Sequence, residues 1–163
     1  MSELSKRSAK YFFIQGMKSF GLVVGIEALL TVEFFVLGMG RNEGFVEYLT
    51  GTALTMGSYF MVFMNIIFGM YGPNWYDSMV LSMGARRKDV FWGEIIKQIS
   101  FITVCTVLHV IIVIASKQYV YLYYVIGTAA IAIVTGPLGL IVGHKIKRYG
   151  KIIVVTIMIN QIK

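Results

Sequence analysis

"ISFITVCTVLHVIIVIA", residues 99–115, decides the fold, because this predominantly apolar run contains no Asp, Glu, Lys or Arg. It is close to the roughly 20 residues that a helix needs to cross a hydrocarbon core of about 30 Å. A strand of a membrane barrel would be about half as long, with apolar and polar side chains alternating. A spanning segment must also satisfy its own backbone hydrogen bonds. The run therefore predicts a transmembrane helix.

Three further apolar runs of similar length lie on either side of it, at residues 20–38, 48–70 and 119–142. The chain has 163 residues, of which 57% are hydrophobic and 14% charged. A soluble domain of this size cannot bury so much apolar surface. We predict an all-α, polytopic helical membrane protein that forms one membrane domain over residues 1–163, with four full transmembrane helices.

Basic residues cluster on one side of the predicted membrane. If the four runs alternate in direction, twelve of the fifteen Lys and Arg residues precede the first run, separate the second from the third, or follow the fourth. The positive-inside rule makes that side cytoplasmic and places the N-terminus inside. The formal net charge of +7 then reflects topology, and we expect no nucleic-acid partner.

Both ends of the chain carry further segments. Apolar residues recur at helical spacing within 5–18, beside basic ones, which favours an interfacial helix in the cytoplasmic headgroup layer. A disordered positive tail is the alternative. The segment 152–163 is apolar again, but its eleven residues 152–162 reach only about 17 Å as a helix, roughly half a membrane. We expect a partial fifth span, in a truncated product, a fragment, or a chain completed by a partner.

The most strongly charged stretch, "SMGARRKDVFWGEIIKQ" at 82–98, lies in the only sizeable loop, residues 71–98. We expect the second span to end at 71–74, because Pro73 disfavours helix at the residue before it. A short helix then follows at 75–83, Gly84 breaks it, and the residues after Gly84 lead as a helix into the third span. Either the charges only anchor the topology, or another protein acts on the chain through this loop.

Motifs for catalysis or ligand binding are scarce. The sequence has no G-x-x-x-x-G-K-[ST] phosphate loop and no His-Glu-x-x-His, so we expect no enzyme activity, cofactor or metal. Ser58 with His109 is only a weak match to a nucleophile and base, and roles in packing and hydrogen bonding are favoured. The single Cys105 excludes an intrachain disulfide. Two GxxxG pairs predict close helix approach: Gly21 with Gly25, and Gly139 with Gly143.

Two acidic residues lie in the first span, Glu27 near mid-membrane and Glu33 closer to the outer leaflet. Ionisable groups there cost several kcal/mol unless they are paired, protonated or in contact with water. Six residues of helix rotate by about 240° beyond a full turn, which leaves the two side chains about 120° apart around the helix, so a single polar stripe is not expected. Glu27 is predicted to face the bundle, as a structural group or near a substrate route, and His109 is the matching candidate in the third span. Glu33 is predicted to reach outward.

The segment "LSMGARRKDVFWGEII", residues 81–96, follows two spans and runs directly into a third. In this it resembles the permease subunits of type-2 ABC transporters, the membrane halves of many bacterial exporters. The resemblance covers the whole chain in topology and about 20 residues in motif. It implies six spans, pairing with a second permease copy, and cytosolic ABC ATPase subunits that dock on a coupling helix between the second and third spans. Two features depart from the family: the end of the fifth span and the sixth are missing, and Ala85 replaces a frequent hydroxyl cap.

The resemblance also implies which residues of the loop contact the ATPase. A coupling element needs apolar anchors and charges that set its register. The anchors would be Trp75, Tyr76, Met79 and Leu81, and the charges Asp77, Arg86, Arg87 and Asp89. The plainer alternative is that Arg86, Arg87 and Lys88 only hold the loop inside and contact anionic membrane lipid, at about 1 kcal/mol each.

The implied function is that of an exporter subunit in a bacterial plasma membrane, which moves a hydrophobic peptide, drug or lipid with energy from a partner ATPase. The alternative is a small, non-transporting polytopic membrane protein, such as an immunity, accessory or scaffold factor.

Overall fold

The computed structural model describes residues 3–38, 44–75, 77–82 and 84–160, and of residues 4, 74, 75, 77–79 and 151–160 it describes the backbone alone. Helix accounts for nearly all of these residues, and no strand lies among them. This confirms the predicted all-α class. The elements are α1 (Glu3–Gly38), α2 (Phe45–Trp75), α3 (Asp77–Ser82), α4 (Arg87–Ser116) and α5 (Tyr121–Asn160).

Four of these helices are long and apolar enough to cross a membrane: Ser5–Gly38, Phe45–Pro73, Arg87–Ser116 and Tyr121–Gly150. Each exceeds the length that a bilayer core requires. They contain the first three predicted spans and all of the fourth except residues 119 and 120. The fold is therefore that of a multi-pass helical membrane protein.

The helix bounds differ from the predicted ones at three places. Residues 5–18 and 20–38 form one continuous helix, α1, without a break between an interfacial and a spanning part. Helix α2 runs through Pro73 and ends at Trp75, one residue beyond the predicted end at 71–74, so the bias of Pro73 against helix at the preceding residue does not end the helix there. Gly150 has φ 78° and ψ 161°, so α5 is interrupted there. Backbone helix resumes at 151–160, which overlaps the predicted partial fifth span at 152–163, and 161–163 lie outside the described residues.

The spanning helices form two parallel pairs that run in opposite directions. Along α1 and α4, Gly16 faces Lys97 and, further on, Glu27 approaches His109. Along α2 and α5, Gly51 faces Tyr121 and Gly143 faces Met70. The start of α1, the end of α2, the start of α4 and the end of the first part of α5 therefore meet. We call this the basic end, because it carries the clusters of Lys and Arg around residues 6–10, 86–88 and 145–148.

The α2–α5 pair is the most extensively packed in the bundle. A Cβ built on Gly139 would lie 2.6 Å from the carbonyl oxygen of Ile66, and one on Gly143 would collide with the carbonyl of Met70. Close approach at this GxxxG pair is thus confirmed. The other predicted pair, Gly21 and Gly25, has nothing within 4 Å of either added Cβ, so it joins no helices in the part of the chain that the structure describes.

Side chains from all four spanning helices meet in one central cluster. It contains Val23 of α1, Met61 of α2, Phe101 of α4 and Ala132 of α5, all essentially inaccessible. A second cluster, around Leu54, lies at the end opposite the basic end. These contacts pack the four helices into one bundle by van der Waals contact, since lipid provides no hydrophobic driving force between spanning helices.

Candidate functional site

The connection from α2 to α4 forms a compact element that we call the corner: α3, the turn at 84–86 and the first turn of α4, residues 87–90. Gly84 adopts φ +85°, a left-handed conformation that glycine reaches without steric cost. Its N–H donates to the carbonyl of Leu81 at 3.0 Å, and the N–H of Ala85 donates to that of Val80 at 3.3 Å. These bonds close the C-terminal end of α3, so the predicted helix break at Gly84 is confirmed.

A side chain of α4 itself caps the first turn of this helix. The Asp89 carboxylate accepts hydrogen bonds from the Arg86 backbone N–H at 3.3 Å and from its Nε at 3.2 Å. An acidic group at the third helical position satisfies a donor at the helix start and favours the helix dipole. Asp89 therefore stabilises the helix start where Ala85 offers no hydroxyl. This local role was not among those predicted for it.

The corner rests on α1. The ring of Phe12 is fully buried against Val80 of α3 and Val90 of α4, which are also buried. Nearby, the hydroxyl of Ser8 donates to the carbonyl of Asp89 at 3.5 Å. Three helices are joined here, so the segment 5–18 contributes to the bundle through Phe12 rather than through lipid contact alone. The helical spacing of its apolar residues suits a lipid headgroup layer as well, so the pattern alone did not indicate this buried face.

The residues predicted for the coupling loop are only partly brought together. Leu81 is 38% exposed, and the side chains of Arg86 and Arg87 are exposed beside it. The Asp89 side chain is only 9% exposed and pairs with Arg86. The backbones of Trp75, Asp77 and Met79 lie at the end of α2 and in α3, while their side chains and all of Tyr76 lie outside the described residues.

A buried ion pair lies directly behind the corner. Lys97 Nζ and Glu94 Oε2, both on α4, are 2.5 Å apart, with side chains 3% and 1% exposed. The Glu94 carboxylate packs against Gly72 of α2, where an added Cβ would lie 2.7 Å from its Oε1. Burying two charges is costly unless they are paired. Their spacing of three residues indicates that they can pair, but it does not indicate burial.

Deeper in the bundle, Glu27 of α1 approaches His109 of α4, with Oε2 and Nε2 3.4 Å apart. Gly57 of α2 leaves the space for this contact, since an added Cβ would lie 2.6 Å from His109 Nε2. Glu27 thus faces the bundle as predicted, and Glu33 is exposed. Ser58 is buried, but among the described residues no hydrogen bond joins it to His109. The contact links α1 to α4 and does not form a nucleophile–base pair.

Two buried amides join α5 to α2 and to α4. Asn65 of α2 donates to the carbonyl of Ala132 at 2.8 Å, and Gln98 of α4 donates to that of Gly136 at 3.2 Å. Both acceptors are on α5, in the turns before Pro137. Hydrogen bonds between spanning helices contribute about 0.6–2 kcal/mol. Sequence reasoning did not single out either amide.

Within the described ranges, no three His, Cys, Asp or Glu side chains are close enough to hold a metal ion. Comparison of the chain with protein-family models, curated proteins and solved structures found no match. The described residues offer exposed basic side chains at the corner, the buried Glu94–Lys97 ion pair, and the contact between Glu27 and His109 within the bundle.

Proposed function

We propose that this chain is the permease subunit of an ABC-type exporter, which moves a hydrophobic or amphipathic substrate with energy from separate cytosolic ATPase subunits. The observation that carries the proposal is the corner. It is a short helix at the end of the bundle, closed by the Gly84 turn, capped by Asp89 and seated on Phe12.

A force applied to such a corner reaches the interior of the bundle. Helix α4 runs without interruption from Arg87 to Ser116, so displacement of its first turn displaces the whole helix. Phe12 and the contact between Glu27 and His109 join α1 to α4 at two levels. Helices α1 and α4 would then move as one unit against α2 and α5. On this account Glu27 and His109 transmit motion between helices rather than line a substrate route.

The charge distribution orients the corner toward the ATPase. We place the basic end in the cytoplasm of a bacterial cell, because an excess of Lys and Arg marks cytoplasmic loops. The corner then presents to the cytosol one apolar anchor, Leu81, beside the charges of Arg86 and Arg87. This composition is suited to a protein interface. A second permease copy would complete the transporter in the membrane.

Co-purification tests the proposal. The full chain, tagged and extracted from membranes of its native host, should bring with it an ATP-hydrolysing protein that carries Walker motifs. Substitution of Leu81 by Asp should abolish that association, because it buries a charge in the interface. Lys18→Gln, on α1 outside the corner, serves as the control. Intact association and ATPase stimulation in the Leu81 variant would contradict the coupling role.

The second candidate is a non-transporting polytopic membrane protein. The close packing of all four spanning helices around the central cluster favours it, since such a bundle is stable without rearrangement. The same preparation separates the two candidates, because this second protein would be isolated without an ATPase.

A further inference from the structure

A cavity of about 330 Å³ lies at the basic end, between the corner, α4 and α5. This volume is within the range of roughly 300–1,000 Å³ that small-molecule sites occupy. Its walls are mostly apolar and include Val90, Phe91 and Leu140. Phe91 is half exposed, so the cavity reaches the surface of the bundle.

Basic side chains surround this apolar space. Arg87 projects from the first turn of α4, and Lys147 projects from α5. The Lys147 ammonium donates to the carbonyl of Pro73 at 2.6 Å, which holds it at the end of α2. His144 also lines the cavity, and its Nδ1 donates to the carbonyl of Leu140 at 2.9 Å. The ring is thereby oriented with Nε2 away from the helix backbone.

One acidic residue, Glu94, belongs to the cavity wall. Its carboxylate is 2.5 Å from the ammonium of Lys97, so the two charges compensate each other. Arg87 and Lys147 then give the site a net positive charge. A binding site with positive charge beside apolar walls complements an anionic amphiphile.

We propose that this cavity binds the phosphate of an anionic membrane phospholipid, with Arg87 and Lys147 beside the phosphate and the acyl chains along Val90, Phe91 and Leu140. Basic pockets between spanning helices bind such headgroups. The same phosphate chemistry is present in free phosphate, but the apolar walls favour the lipid. The site requires only that the chain lies in a membrane. It shares Arg87 with the surface proposed to contact the ATPase, but lipid binding is measured without that partner.

Native mass spectrometry of the purified full chain in detergent tests the site. Three probes are titrated: phosphatidylglycerol, phosphatidylcholine with the same acyl chains, and inorganic phosphate. We expect the chain to retain phosphatidylglycerol in preference to phosphatidylcholine, and inorganic phosphate at millimolar concentration should not displace it. Equal retention of the two lipids, or displacement by phosphate, would overturn the lipid site.

Paired variants locate the binding. Arg87→Gln with Lys147→Gln should weaken phosphatidylglycerol binding about 30-fold, from the usual contribution of two basic side chains at an anionic surface. Lys88→Gln with Lys145→Gln removes the same charge from the same two helices outside the cavity, and it should change the affinity less than threefold. If the double variant fails to fold, Arg87→Gln alone should still weaken binding about fivefold. An equal loss in both pairs would show non-specific attraction and overturn the proposal.

Discussion

The ring of Phe12, near the start of α1, occupies the space in which a side chain on Gly93 of α4 would otherwise lie. Phe12 is fully buried, and Gly93 is buried beneath it. The corner thus depends on a glycine of α4 that admits an aromatic ring from α1. This relationship makes α1 part of the support for the corner, and it can be tested by small substitutions.

Gly93→Ala should destabilise the protein by about 1–3 kcal/mol, because its methyl group meets the Phe12 ring in a filled site. Denaturant unfolding in detergent measures the change. Gly25→Ala in α1 is the control, since nothing lies within 4 Å of its added Cβ. It should be neutral or up to about 1 kcal/mol more stable, because alanine favours helix over glycine. Equal stability of the two variants would show that Phe12 does not pack on Gly93.

Gly143→Ala should weaken the α2–α5 pair, because the added methyl group meets the backbone of Met70 and backbone cannot rotate aside. We expect a loss of about 1–3 kcal/mol in the same unfolding measurement. Gly127→Ala, also in α5, has an open site and should cost nothing. A Gly143 variant as stable as the Gly127 variant would contradict the close approach of α2 and α5.

Glu27 and His109 should be energetically coupled. A double-mutant cycle with Glu27→Gln and His109→Gln is expected to give an interaction energy of about 1–2 kcal/mol, within the range for residues in contact. The control cycle combines Glu33→Gln with His109→Gln. Because Glu33 is exposed, the interaction energy in this cycle should be below about 0.5 kcal/mol. Additive effects in the first cycle would show that the two side chains do not interact.

Lys97→Met should cost about 3–5 kcal/mol, because it leaves the Glu94 carboxylate buried without its ion-pair partner. Adding Glu94→Gln should recover much of that loss, since no buried charge then remains. Thermal unfolding of the single and double variants in detergent measures the difference. A double variant at least as unstable as Lys97→Met would show that the pair is not what stabilises these two positions.

The number of spanning helices could be predicted from composition, because lipid restricts both hydropathy and backbone hydrogen bonding. The break at Gly84 could be predicted as well, since few residues other than glycine adopt its backbone conformation readily. Both features depend on properties that are local in sequence.

The helix faces that pack against each other could not be predicted from local sequence in the same way. The spacing of Phe12 and its neighbours is equally suited to a lipid headgroup layer and to packing on α4, so the pattern alone does not choose between them. Glu94 and Lys97 belong to a charged stretch that normally lies in water, but they are buried because each neutralises the other and Gly72 leaves room. Burial depends on a partner helix, and a single sequence does not specify that partner.

The central claim is that the corner receives an ATPase, and site-specific photocrosslinking tests it most directly. A photoreactive amino acid is placed at Leu81 in the full chain, in membranes of the native host, and at Tyr123 as the control. Tyr123 is 84% exposed and lies toward the opposite end of the bundle. The account predicts that Leu81, and not Tyr123, crosslinks to an ATP-hydrolysing protein with Walker motifs. Failure of Leu81 to crosslink to such a protein, or equal crosslinking from both positions, would contradict it.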